Sequence, residues 1–282
     1  MALNFPTDKK HISYSEIKQW KECSYRHRLM YIDKINTFEE SVYLDFGTIV
    51  HAAIEDFLKS GEMDIDGCVA LLRETWEKKG FDSSDYIEAQ KLRGQKMSFN
   101  YKHENVEAWV QSAKNILSAL PAFLDENFPD WEVVSAEERL YESIENSDIK
   151  FKGFIDCVVK VKDRFGKDQY WIIDWKTAGP RGWNSEKRRD FLLQAQIGLY
   201  KSYWARKNNI PLKSIRCGFI LLKRGSKQEK CINLVKVSVG PKFVERSSKL
   251  VNNMVASVKR GMFIKNRFSC KFCPFYQTEH CT

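Results

Sequence analysis

The stretch Tyr170-Trp171-Ile172-Ile173-Asp174-Trp175-Lys176-Thr177 decides how this chain is read. Its aromatic and β-branched residues favour a strand. A strand alternates faces with period two, so Asp174 and Lys176 project from one side and Ile173 and Trp175 from the other. A carboxylate and an ammonium are thereby held side by side on a rigid element. Upstream, the strand-like run from Phe151 to Val161 carries a lone acid, Asp156. If the two strands are neighbours, their backbones lie about 4.8 Å apart, and the two carboxylates can share a divalent ion. Magnesium takes oxygen ligands and keeps several waters, so two carboxylates and a substrate phosphate suffice. Such an ion polarises the phosphate and acidifies a bound water, while Lys176 positions that water or offsets transition-state charge. An exposed ion pair on a strand face is the plainer reading of Asp-x-Lys taken alone.

The 282 residues carry a formal net charge of +9, which favours a polyanionic partner. No run of about 18 apolar residues is present, so no membrane span is expected. The polar segment Met1 to Lys10, with Pro6 and Asp8, does not read as a signal peptide. A cytoplasmic location with reduced thiols is therefore expected, where cysteines bind metals more often than they pair. Of eight cysteines, Cys157, Cys217 and Cys231 sit in strand-like runs as small hydrophobes. Cys270, Cys273 and Cys281 crowd the C-terminal end.

The first 130 residues read as helices. Ser13-Tyr14-Ser15-Glu16 resembles a capping start, with Ile17, Trp20, Ser24 and Arg28 following at helical spacing. Further helices are expected over Phe46 to Lys59, stopped by Gly61, over Ile65 to Lys79, and over Tyr101 to Phe123, where Pro121 kinks or ends the helix. Strands are expected over Trp131 to Ile144, Ile149 to Lys162 and Tyr170 to Thr177. A loop carrying Arg181, Lys187, Arg188 and Arg189 follows, then a helix over Asp190 to Lys207. Strands over Ile215 to Lys223 and Cys231 to Val239 precede a closing helix over Phe243 to Lys259. That order implies an α/β layer with a mixed sheet and an N-terminal helical region. There is no Walker-type glycine–lysine loop, which excludes an ATP-driven motor.

Three further constellations accompany the carboxylates. His51 and Glu55 are four apart and share a helix face, and a neutral imidazole there could complete a metal site. Gln196 and Tyr200 share a face of the helix after the Asp-x-Lys strand, where they could bond a phosphate or orient the site. Cys270-x2-Cys273 with Cys281 has the spacing of a zinc or iron–sulfur site, and Cys23 is the distant candidate for a fourth ligand. A site of that kind would staple the N-terminal helices to the tail. A surface histidine, an ordinary amphipathic helix and free thiols are the corresponding structural readings.

Together these residues resemble the RecB-like nucleases of the PD-(D/E)XK superfamily, in the iron–sulfur branch that includes CRISPR-associated and phage exonucleases. The resemblance runs from Ser13 to Cys281. Ser13-Tyr14-Ser15 through Cys23 is similar to the opening helix with the first cluster ligand. Gly47 to His51 is similar to the G-x-x-x-H element, Gly153 to Asp156 to the G-x-x-D strand, and Asp174 to Lys176 to the D-x-K strand. Gln196 to Tyr200 is similar to the Q-x-x-x-Y element, and Cys270, Cys273 and Cys281 to the remaining ligands. Ser24 departs from a frequent proline.

The resemblance implies a restriction-endonuclease-like α/β fold in a single nuclease domain over 1–282. Its parts are a helical region (1–130), an α/β core (131–262) and a Cys-rich tail (263–282). It implies a metal-dependent deoxyribonuclease acting as an exonuclease on single-stranded or free DNA ends. Mg2+ or Mn2+ would be held by His51, Asp156, Asp174 and the Trp175 carbonyl, and a structural [4Fe–4S] cluster by the four cysteines. Lys176 would assist the attacking water, and Glu137 or Glu138 would add an acid from the first strand of the core. Gln196, Tyr200, Lys187, Arg188 and Arg189 would contact DNA, with recombination or CRISPR-adaptation proteins as partners. The competing readings are a DNA-end-binding assembly module with incidental cleavage and a zinc-stapled endonuclease.

Overall fold

The computed structural model describes residues 5–37, 41–96 and 102–282. Its centre is a six-stranded mixed sheet. The strands are β1 (His11–Ser13), β2 (Glu132–Ser143), β3 (Lys150–Lys162), β4 (Asp168–Ala178), β5 (Ile215–Lys223) and β6 (Ile232–Val237). β3 runs antiparallel to β2 and β4, β4 parallel to β5, and β5 antiparallel to β6. The short β1 lies parallel to the start of β3.

Two apolar layers sandwich this sheet. On one side α1 (Tyr14–Glu22), α8 (Phe191–Asn208) and α9 (Pro241–Lys259) contribute Ile17, Leu199, Trp204 and Met254 against Phe151, Ile172 and Phe219. On the other, α3 (Val42–Ser60), α4 (Ile65–Lys78) and α6 (Val106–Asn127) contribute Phe46, Trp76 and Ile116 against Val159, Trp175 and Ile220. The strands buried on both faces read as near-continuous apolar runs for this reason.

Several expected boundaries move. The second helix begins at Val42, four residues before Phe46, and ends at Gly61, whose φ of 81° closes it in the left-handed region. α6 runs to Asn127 with Pro121 inside it. Its apolar stripe, Trp109 to Leu124, is buried along its whole length, so packing holds the helix past the missing N–H. The expected start at Tyr101 lies outside the described residues. β1 was not expected, because three polar-flanked residues carry no periodicity. α5 (Ser84–Lys96) and α7 (Ser185–Arg189) were not expected either, both being mainly polar. α7 therefore replaces the expected loop at Lys187–Arg189.

Candidate active site

β3 is shared by two neighbours along one edge. β1 pairs with Lys150 to Lys152, and β4 pairs with Cys157 to Lys162. Asp156 sits in the gap between them, one step beyond the last registered pair, Cys157 with Ile173. The strand also changes faces there. Phe151 and Ile155 pack into the α8 side, while Cys157 and Val159 pack into the α3 side, although Ile155 and Cys157 would share a face in a regular strand. On β2 the same break falls at Glu137, between the pairs Ala136–Cys157 and Glu138–Ile155. Glu137 adopts φ 50°, a left-handed backbone that costs a non-glycine residue about 1–3 kcal/mol.

This fork gathers the candidate groups. The Trp175 N–H donates to Asp156 Oδ2 at 2.7 Å, and Lys176 Nζ lies 2.6 Å from Asp174 Oδ2. Asp174 is 1% exposed, so that ion pair with Lys176 is what compensates its buried carboxylate. His51 Nε2, carried on α3, is buried with no hydrogen-bond partner among the described residues. Burial, and then the Lys176 charge, pushes the His51 imidazole down to about 4, so it is neutral near pH 7. Burial and the neighbouring Asp174 charge hold Asp156 well above the usual carboxylate range, against Lys176 and the Trp175 N–H. Burial raises Asp174 in the same way, against Lys176. Burial opposes the Lys176 charge, but Asp174 and Asp156 outweigh it and its pKa is raised.

A buried lone pair on a neutral imidazole and buried carboxylate oxygens are donors suited to a hard divalent cation. As the side chains stand, no three His, Cys, Asp or Glu groups among the described residues are placed to hold one ion. The Lys176 ammonium supplies the countercharge to Asp174 instead.

Sequence left Glu137 and Glu138 equivalent, and the structure separates them. Glu137 is exposed at the break opposite Asp156, and its carboxyl is raised by partial burial and by Glu55, against Lys59, with Asp174 adding to the rise. Glu138 points the other way. It accepts from Trp204 Nε1 at 2.7 Å, Lys207 Nζ at 2.7 Å and Ser135 Oγ at 2.6 Å. The face change at Glu137 could not have been found from alternation.

Gln196 Nε2 donates to the Tyr200 hydroxyl at 3.1 Å. Burial, followed by the Asp174 charge, raises the Tyr200 phenol. A side chain at Gly153 would come within 2.8 Å of Tyr200 Cε1, so this glycine lets the tyrosine reach the strand beside Asp156. Gly47 carries no such demand, since a Cβ there would meet Thr177 Oγ1 at an ordinary 3.8 Å. Lys187, Arg188 and Arg189 are exposed on α7. Lys187 Nζ lies 5.3 Å from the Trp183 ring centroid, and Arg188 Nε donates to the Trp183 carbonyl at 3.0 Å. Lys187 and Arg181 line an open groove of about 630 Å³ that begins at Ala178, the end of β4.

Cys23 occupies the break between α1 and α2 (Ser24–His27), with φ −161° and ψ 108°. The tail is stitched to this break. The Ile264 N–H donates to Ser24 Oγ at 2.7 Å, Asn266 Nδ2 to the Glu22 carbonyl at 2.7 Å, and the Asn266 N–H reaches Cys23 Sγ at 3.4 Å. Cys23, Cys270, Cys273 and Cys281 line one cavity, rimmed by Arg26, Lys265 and Arg267. Four thiols and a cationic rim suit an anionic thiolate-bound cluster. In these rotamers the cavity is about 10 Å³, room for one water, so a cluster requires the thiols to part.

No curated protein matches the chain. Among solved structures, a "Putative exonuclease" from Eubacterium rectale is similar at a TM-score of 0.52 and 11% identity, with 94% of this chain and 86% of that one covered. At that identity the likeness speaks for the fold alone. The crystal structure of SSO0001 is more distant, with 10% identity, 82% of this chain and 94% of that one covered, and a TM-score of 0.33. The profile of the PD-(D/E)XK nuclease superfamily matches residues 11–278. With nearly the whole sequence inside that match and a mixed sheet that brings Asp156, Asp174 and Lys176 to one fork, this chain belongs to the PD-(D/E)XK nuclease superfamily.

Proposed function

We propose that the protein is a divalent-metal-dependent deoxyribonuclease, an exonuclease acting on single-stranded DNA ends, of the RecB-like iron–sulfur type found among CRISPR-associated and phage exonucleases. The observation that carries this reading is the convergence of Asp156, Asp174, Lys176 and His51, with Asp174 buried against the Lys176 ammonium and His51 Nε2 buried with no hydrogen-bond partner among the described residues. His51, Asp156, Asp174 and the Trp175 carbonyl would hold Mg2+ or Mn2+. When bound, that ion supplies Lewis acidity to the scissile phosphate and acidity to a coordinated water. Lys176 keeps its proton because two carboxylates face it, so it presents a fixed positive charge to the water and the phosphate. The Trp175 N–H fixes one oxygen of Asp156 and leaves the other to bind. Glu137 adds negative charge at the rim. Gln196 and Tyr200 orient the substrate from α8, and Lys187, Arg188 and Arg189 neutralise its phosphates along the groove.

The four cysteines would hold a structural [4Fe–4S] cluster, tying the tail to the α1–α2 break within a single nuclease domain. A cubane places each thiolate on a different iron, which is compatible with four cysteines that do not converge on one ion. The decisive experiment is digestion of end-labelled single-stranded and duplex DNA by anaerobically purified protein, with Mg2+, Mn2+ or EDTA. Mononucleotide release from single-stranded ends with either metal and none with EDTA is expected. Metal-independent or purely internal cleavage would overturn the reading.

A further inference from the structure

The sheet face that ends two residues before Asp156 is aromatic, basic and open to solvent. In the β2–β3 ladder Arg139 lies opposite Phe154, and Tyr141 lies opposite Lys152. Cross-strand partners share a face, so cations and rings alternate there as on a chequerboard. Arg139 and Lys150 stand 5.2 and 4.9 Å from the Tyr141 ring centroid, and Lys152 stands 5.5 Å from that of Phe154. His11, on β1, extends the row at 5.9 Å from Tyr141. Phe154 is 39% exposed, on a strand whose other face is core.

The local field at this face is positive. Burial, then Lys152 and Lys9, lowers the His11 imidazole, and Arg139 adds to this. Glu16 opposes that shift, but it is bound to His27 at 3.0 Å.

We infer that this face is a track for a single-stranded nucleic acid, which stacks bases on Phe154 and Tyr141, sets phosphates against Arg139, Lys150 and Lys152, and delivers the strand to the Asp156 fork. Rings on a sheet accept bases of any sequence, and the interleaved cations follow the backbone. Along β3 successive same-face residues are about 6.8 Å apart. That is roughly twice the 3.4 Å phosphate rise per strand of a stacked duplex, so the face suits an extended strand. The inference deepens the nuclease reading by naming the surface that binds its single-stranded substrate, and rests on that reading only for what happens at the end of the track.

The test is fluorescence anisotropy with labelled oligo(dT), oligo(rU) and duplex DNA in EDTA, over a salt series. Arg139→Gln combined with Lys152→Gln should weaken both single strands and flatten the salt slope by roughly 1.4, about 0.7 for each lost phosphate contact. Phe154→Leu, which keeps bulk but removes the π face, should weaken single-strand binding roughly 5- to 100-fold at an unchanged slope. Phe154→Tyr should restore it, and duplex binding should move less than twofold throughout. Single-strand binding by Phe154→Leu within twofold of the parent, or an equal loss on duplex, would overturn the track. Hydrolysis of bis(p-nitrophenyl) phosphate with Mn2+ is read separately. Its absence from the parent protein sinks the nuclease reading and leaves the binding result standing.

Discussion

The backbone N–H of Trp175 donates to Asp156 Oδ2 at 2.7 Å, so the strand bearing Asp174 and Lys176 holds the carboxylate of its neighbour in place. The bond forms where the β3–β4 ladder has stopped, and a side chain takes the position of the missing backbone acceptor. Two carboxylates are forced together at the sheet's fork, and they are stable there only because Lys176 and a backbone donor face them. That arrangement sets the first expectations.

Asp174→Asn should abolish cleavage yet leave the melting temperature unchanged or higher, because it removes a buried charge that the fold holds at a cost. Lys176→Ala should lower turnover on the order of 100- to 1,000-fold with DNA binding nearly intact. Single-turnover cleavage and anisotropy on the same preparations check both, and comparable turnover in either variant would remove these residues from the site.

Metal binding should be pH-dependent, and the signs follow from the shifts. Asp156 and Asp174 have raised folded values, so their contribution to stability is complete at low pH and is lost as pH rises through those values. His51 is lowered to about 4, so its contribution is complete above about 6.5 and is lost as pH falls toward 4. A divalent ion binds the deprotonated carboxylates and the neutral imidazole. Mn2+ should therefore raise the melting temperature more at pH 8 than at pH 5.5, and Asp156→Asn should remove that difference. An equal rise at both pH values would count against ligation by this cluster.

Glu137 and Glu138 should divide cleanly. Glu138→Ala strips a hydrogen-bond partner from Trp204, Lys207 and Ser135, and should cost about 1–3 kcal/mol of stability with activity retained. Glu137→Gln should reduce metal-dependent activity at little cost in stability. Urea melts paired with initial rates decide this, and the reverse pattern would show that the face change at Glu137 has been misassigned.

Cys23→Ser and Cys273→Ser should behave alike despite their separation in sequence, since both thiols line one cavity. Each should lose visible absorption and iron and melt at a lower temperature. Full iron in one variant and none in the other would break the shared-cluster assignment. Stoichiometric zinc in the parent protein would replace the cluster with a single ion.

What this sequence determined by itself is what depends on local periodicity. Alternation placed Asp174 and Lys176 on one face of β4, and the apolar stripes marked α3, α4, α6, α8 and α9 to within a few residues. The Cys270-x2-Cys273 spacing marked the tail as a ligand candidate. Period-based reading works there because each element buries one face along its length. It fails wherever backbone irregularity or long-range pairing decides. The break at Asp156 and Glu137 puts neighbouring odd-numbered residues into opposite cores, so alternation could not separate Glu137 from Glu138. β1 exists only because β3 offers it an edge, and its three residues carry no pattern of their own. The approach of Cys23 to the tail depends on a chain break after α1 and on hydrogen bonds from Ile264 and Asn266. Those contacts join segments at opposite ends of the chain, and only the packed fold brings them within reach.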